Sequence, residues 1–192
     1  MTMNLTANEV DGANWLTFYN ENYDFEADAN TQVFKARLSD TNLTLTKLET
    51  DQTVTKNNAV ILKSTASPIV MTLASTASSN DFSSNSLQGV SAAAGLTAAD
   101  PSTTFVLNNG SQGVGFYRLT SGKTLGVGKA YLTYSGSTAP EFLGFGETTG
   151  IENIAKSQEP TANGQYFDLQ GRRVAQPTKG LYIVNGKKVV IK

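Results

Sequence analysis

Short runs rich in β-branched and aromatic residues recur along this chain every eight to fifteen residues, and no stretch sustains a helical period. Trp15-Leu-Thr-Phe-Tyr19, Thr31-Gln-Val-Phe-Lys-Ala-Arg-Leu38 and Asn42-Leu-Thr-Leu-Thr-Lys-Leu48 open the series. In the third, Leu43 and Leu45 alternate with Thr44 and Thr46, the period of a strand with one face turned inward. Ser39-Asp-Thr41 supplies turn residues between the second and third runs, which predicts a hairpin. Ala59-Val-Ile-Leu-Lys63 is apolar at successive positions, as a strand covered on both faces would be. Pro68 precedes Ile69-Val-Met-Thr-Leu73, where it can open a strand but not sit inside a central one. Thr103-Thr-Phe-Val-Leu107, Val114-Gly-Phe-Tyr-Arg-Leu119, Lys129-Ala-Tyr-Leu-Thr-Tyr134 and Glu141-Phe-Leu-Gly-Phe145 complete the set, with turns expected at Asn108-Asn-Gly110 and Ser121-Gly-Lys123. The expectation is an all-β chain: an antiparallel β-sandwich or barrel followed by a small C-terminal β-hairpin or sandwich-like tail.

Two stretches depart from this pattern. Residues 74–102 are rich in Ser, Ala and Asn and read as a long surface connection, with Leu87 pinning a short strand. Ser91-Ala-Ala-Ala-Gly-Leu could manage a helical turn, but Gly95 interrupts it. From Glu147 to Gly164 large apolar residues are again scarce. The domain reading is therefore an antiparallel β domain over 1–148, a linker over 149–164 and a β segment over 165–192, the linker's one candidate helical turn being Ile151-Glu-Asn-Ile154.

Composition removes several kinds of chemistry. The 192 residues contain no cysteine, which excludes disulfides, Cys-ligated zinc and thiol catalysis. They contain no histidine either, so the commonest general base and transition-metal ligand is missing. No apolar run is long enough to span a bilayer as a helix. The N-terminal Met-Thr-Met-Asn-Leu-Thr has neither the basic nor the apolar region of a signal peptide, so the expectation for an exported protein is a mature form or a fragment, and a fragment is favoured. Net charge is −1, which gives no general attraction to nucleic acid. It is unevenly placed: residues 1–150 carry 8 basic and 13 acidic side chains (net −5), and residues 151–192 carry 7 and 3 (net +4). Lys and Arg on strand edges that block edge pairing are a sufficient explanation of the basic tail; docking on an acidic face or being read by export machinery is the alternative.

The motifs that resemble catalytic or binding sites have simpler explanations. Ser121-Gly122-Lys123-Thr124 contains the Gly-Lys-Thr end of a phosphate-binding loop, but the required earlier glycine is Tyr117 and both flanks are strands. Asp24, Glu26 and Asp28 share a spacing that could begin a calcium site, yet they lack its glycine and bidentate glutamate. No pair of carboxyls stands out for glycoside hydrolysis. Trp15, Phe18, Tyr19, Tyr23 and Phe25 form one aromatic group, and Phe116, Tyr117, Tyr131 and Tyr134 a second. Core packing accounts for most of them. If a ligand surface exists, Trp15 and Tyr19 are its candidates, because alternate strand positions share a face. No cofactor, metal or catalytic residue is assigned.

The C-terminal residues carry a resemblance. Gly180-Leu-Tyr-Ile-Val184 and Lys187-Lys-Val-Val-Ile-Lys192 flank Asn185-Gly186, the commonest pair for a tight I′ hairpin turn. Together with Tyr166-Phe-Asp-Leu-Gln-Gly-Arg-Arg-Val174, they resemble the C-terminal sorting domain of the type IX (Por) secretion system, found on exported Bacteroidetes proteins. The matching positions are Tyr166, Gly171, Gly180, Tyr182, Lys187, Lys188 and Lys192, and the turn residues Asn185 and Gly186 belong to the same sorting or attachment tail. A full sorting domain has some seven strands, whereas this tail supplies about four. Residues from about 13 to 154 resemble a β module placed before such tails in Bacteroidales proteins, through the Trp15 and Leu43 runs, Asn58-Ala-Val-Ile-Leu-Lys63, Gly115-Phe-Tyr-Arg-Leu119, Gly128-Lys-Ala-Tyr-Leu132 and Phe142-Leu-Gly-Phe-Gly146. The resemblance implies a non-catalytic accessory module at the outer cell surface or outside the cell. Its implied partners are the export or surface-attachment machinery, or upstream domains of the same parent protein. A carbohydrate- or peptide-binding module, with a glycan as its ligand, is the alternative, and an enzyme is the reading least supported.

Overall fold

The computed structural model describes residues 1–7, 9–49, 51–97 and 102–146, and in the C-terminal part residues 166–167, 173–174, 180–184 and 187–191. The chain divides into two compact units, 1–148 and 149–192. In chain order the strands of the first are β1 (Thr2–Leu5), β2 (Glu9–Val10), β3 (Ala13–Tyr19), β4 (Phe25–Ala27), β5 (Thr31–Ser39), β6 (Asn42–Lys47), β7 (Thr53–Val54), β8 (Ala59–Ser64), β9 (Ile69–Leu73), β10 (Gln88–Gly89), β11 (Leu96–Thr97), β12 (Thr104–Gly110), β13 (Gly113–Arg118), β14 (Thr124–Leu125), β15 (Ala130–Thr133) and β16 (Phe142–Gly146). The second holds β17 (Tyr166–Phe167), β18 (Arg173–Val174), β19 (Gly180–Val184) and β20 (Lys187–Ile191). The protein is all-β, as its strand-forming runs predict.

One ten-stranded sheet, in the order β10-β15-β12-β13-β16-β6-β5-β8-β3-β2, forms most of the first unit. Its ladders are antiparallel except where β16 runs parallel to β6, placing Phe145 opposite Leu43. The sheet curls until its two ends approach. Tyr19 N–H donates to Gly128 C=O at 2.9 Å, and Ala130 N–H donates to the Thr17 hydroxyl oxygen at 3.0 Å. The strands thus enclose an apolar interior built from alternate residues, among them Ala36, Leu43, Ile61, Phe105, Phe116, Leu132 and Leu143.

A four-stranded sheet, β1-β9-β4-β7, covers the opposite face of β3, β8 and β5. Phe25, Ile69, Met71 and Val54 of this small sheet pack with Leu16, Phe18, Val33, Val60 and Leu62 of the large one. β8 therefore has a core on each side: Ala59 and Ile61 point into the curled interior, Val60 and Leu62 toward the small sheet. This is why its sequence is apolar at successive positions. Val60, Ile61 and Leu62 each contribute about 1.5–3 kcal/mol on burial.

Turn chemistry explains most connections. β5 and β6 form the expected hairpin, with Ser39 opposite Asn42 and Asp40 at φ 52°. β2 and β3 are joined by Asp11-Gly12, both at positive φ (50° and 75°), the backbone of an I′ turn. The turn expected at Asn108-Asn-Gly110 lies further on. β12 continues through Gly110, which pairs with Gly113, and Ser111-Gln112 make the bend. Tyr117 accounts for the shift. Its hydroxyl accepts from Gln112 N–H at 3.1 Å and donates to Gly113 C=O at 2.7 Å, while its ring lies against Gly110.

The connection from residue 74 onward is tied down by side chains rather than by packing alone. Asn85 accepts from Ala36 N–H (3.1 Å) and donates to Ala59 C=O (2.6 Å), bridging β5 and β8. Ser86 N–H donates to Ala36 C=O, and the Ser86 hydroxyl oxygen accepts from Leu38 N–H. Leu87 follows, buried in the curled interior, and leads directly into β10. Earlier, Asp51 gathers Ser78 and Asn80.

The second unit is a four-stranded sheet in the order β18-β17-β19-β20. β19 and β20 form the hairpin expected from the sequence, with Val184 opposite Lys187 and Gly180 opposite Ile191. The proposed linker over 149–164, the helical turn at 151–154, and Gly171, Asn185, Gly186 and Lys192 lie outside the described residues.

Candidate functional site

Trp15, Thr17 and Tyr19 project from the same face of β3, into the curled sheet, because alternate strand residues share a face. Trp15 is half-buried. Its indole stacks on Phe145 at a centroid distance of 5.2 Å and on Phe34 at 6.5 Å, and the Lys63 ammonium lies 5.0 Å from the ring centre. The ring is therefore engaged largely by the protein, and what remains exposed lines the surface. Tyr19 is half-buried as well. Its ring lies on Gly89, where an added Cβ would come within 2.0 Å of it, and its hydroxyl donates to Asn57 Oδ1 at 3.4 Å.

The two aromatics open to different depressions. Tyr19 borders a pocket of about 220 Å³ with Met3, Asn20, Val90 and Val127. Trp15 and Leu107 together border two others. One, about 260 Å³, adds Glu9, Val10, Asn108 and Asn109; the other, about 360 Å³, adds Thr17, Leu125 and Lys129. These two share the Trp15–Leu107 ridge and form one groove beside the place where β3 and β15 meet. The groove has a carboxylate at one end and a half-buried ammonium at the other. Desolvation lowers the pKa of Lys129 below the ordinary lysine value. Lys129 is absent from the sequence-based candidates, and so is the groove.

Two of the three acidic residues are taken up by backbone amides. Asp24 Oδ1 accepts from Lys56 N–H at 2.7 Å. Asp28 accepts from Asn30 N–H and the Thr31 hydroxyl through Oδ1, and from Val70 N–H through Oδ2. Glu26 sits exposed between them on β4. Among the described residues, no three His, Cys, Asp or Glu side chains are grouped so as to hold a metal. Ser121-Gly122-Lys123 is a turn between strands: Gly122 has φ 74°, and Lys123 N–H donates to Thr120 C=O. The expected helix of a phosphate loop is replaced by β14.

In the C-terminal unit, Tyr166 pairs with Val174 and Val184, Tyr182 with Val189, and Lys188 with Ile183. β17 and β19 occupy the inner positions of the sheet, and β20 is an outer strand with β19 on one side. No family model, curated protein or solved structure matches the chain.

Proposed function

We propose that this chain is a non-catalytic accessory β module of an exported or cell-surface protein, and that its C-terminal ribbon is the element by which it is exported or attached. The observation that carries this reading is the placement of β20. The last described strand lies at the edge of a sheet belonging to its own compact unit. An outer strand presents a row of N–H and C=O groups that another strand can pair with. The sequence of that strand belongs to the ordered C-terminal motif that resembles a sorting domain. The lack of histidine and cysteine, and the commitment of Asp24 and Asp28 to backbone amides, support a body without catalytic chemistry. The partner is the export apparatus or an upstream domain of the parent protein.

Deleting residues 165–192 from a secreted reporter fusion, in a host that carries type IX machinery, tests the proposal. Loss of export or of surface retention is expected. A fusion exported and retained as well without those residues as with them would remove the ribbon's assigned role.

A further inference from the structure

The seam of the curled sheet is incompletely zipped, and the hydrogen-bond pattern shows where. In β12, Leu119 N–H donates to Thr104 C=O on the β13 side, whereas Tyr134 N–H donates to Thr103 C=O on the β15 side. Backbone direction alternates along a strand, so Thr103, Phe105, Leu107 and Asn109 face β15. The β12–β15 ladder nevertheless ends at Val106–Tyr131, while the β12–β13 ladder runs on to Gly110.

Continuing the register would place Ala130 opposite Leu107 and Gly128 opposite Asn109. Backbone groups of both are engaged elsewhere. Ala130 N–H donates to Thr17, Gly128 C=O accepts from Tyr19, and Gly128 N–H donates to Val90 C=O. Among the described residues, the Leu107 carbonyl and both backbone groups of Asn109 have no strand partner on this side, where Leu107 and Asn109 border the groove. That groove is lined by Trp15, Leu107 and Val10 as its apolar part, with Lys129 at one end and Glu9 at the other, so an acid is accommodated at the Lys129 end.

We propose that this groove is a docking site for an extended acidic segment of a partner protein, which adds a strand to the free edge of β12 at Leu107–Gly110 and sets a carboxylate against Lys129. An extended peptide satisfies all three features at once. Its backbone pairs with Asn109 and the Leu107 carbonyl, its alternate apolar side chains lie on Trp15 and Val10, and its acid meets the half-buried Lys129 ammonium. The proposal does not rest on the reading of the C-terminal ribbon as an export or attachment element.

Trp15 is the only tryptophan of the chain, so its emission reports on the groove directly. The full 192-residue chain is titrated with the capped hexapeptide Val-Glu-Val-Glu-Val-Thr, its Lys-for-Glu counterpart, a version with proline at the third position, and an oligouronate. Saturable change with the acidic peptide alone is expected. Lys129→Ala should weaken it by about tenfold or more, as loss of a charge-assisted contact does, and Lys129→Arg should retain it. Asn109→Pro removes an N–H that the β13 ladder does not use, so it should weaken binding while far-ultraviolet circular dichroism stays unchanged. The proposal is overturned by no emission change with the acidic peptide, by equal binding of the proline peptide, or by a response to the oligouronate alone.

Discussion

Single residues decide how closely the curled sheet can draw together. Gly89 is one. Tyr19 lies so near it that any side chain would displace the ring, and that ring fills space beside the junction of β3 with Gly128. Gly89→Ala should destabilise the first unit by about 1–3 kcal/mol, the range for overpacking a filled site, read as a lower denaturant midpoint with unchanged slope. A midpoint equal to that of the parent would mean that Tyr19 can move aside without cost. Thr17 acts differently: its hydroxyl takes the place of a backbone carbonyl as acceptor for Ala130 N–H, so a side chain closes the seam where no ladder does.

At the level of elements, the connection before β10 holds two strands together where their own ladder has ended. The β5–β8 register stops at Phe34–Ile61, and Asn85 bonds both Ala36 and Ala59 beyond it. Asn85→Ala would leave a buried N–H and C=O without partners. A loss of about 2 kcal/mol or more is expected, with faster amide exchange at Ala36 as the local signature. The long strands were legible because their composition and period carry the information: the continuous run of β8 and the Leu-Thr alternation of β6 both predicted their faces. β1, β2, β4 and β7 were not read from the sequence, being two to four residues long, too short for a period to show. Asp11-Gly12 was nonetheless a readable signal for the β2–β3 turn. The bend after β12 was misplaced because Tyr117, seven residues beyond Gly110, determines it, and no local turn propensity reveals that. The groove was invisible for a related reason. It arises from a register that stops, and Lys129 looks like any surface lysine until β3 and β15 are brought together.

For the molecule as a whole, both apolar cores described belong to the first unit. A protein comprising residues 1–148 is therefore expected to fold alone and to melt within a few degrees of the full chain, measured by circular dichroism. A fragment that stays unfolded would show that the body depends on the C-terminal residues. Within the body, β3, β8 and β5 act as a wall common to two rooms. Neither layer can be stripped away without exposing the other side of that wall, so heat or denaturant meets one all-or-none event rather than stepwise peeling. The most protected amides in a deuterium experiment should accordingly cluster at positions 60–62, where water reaches the backbone only after everything else has come apart.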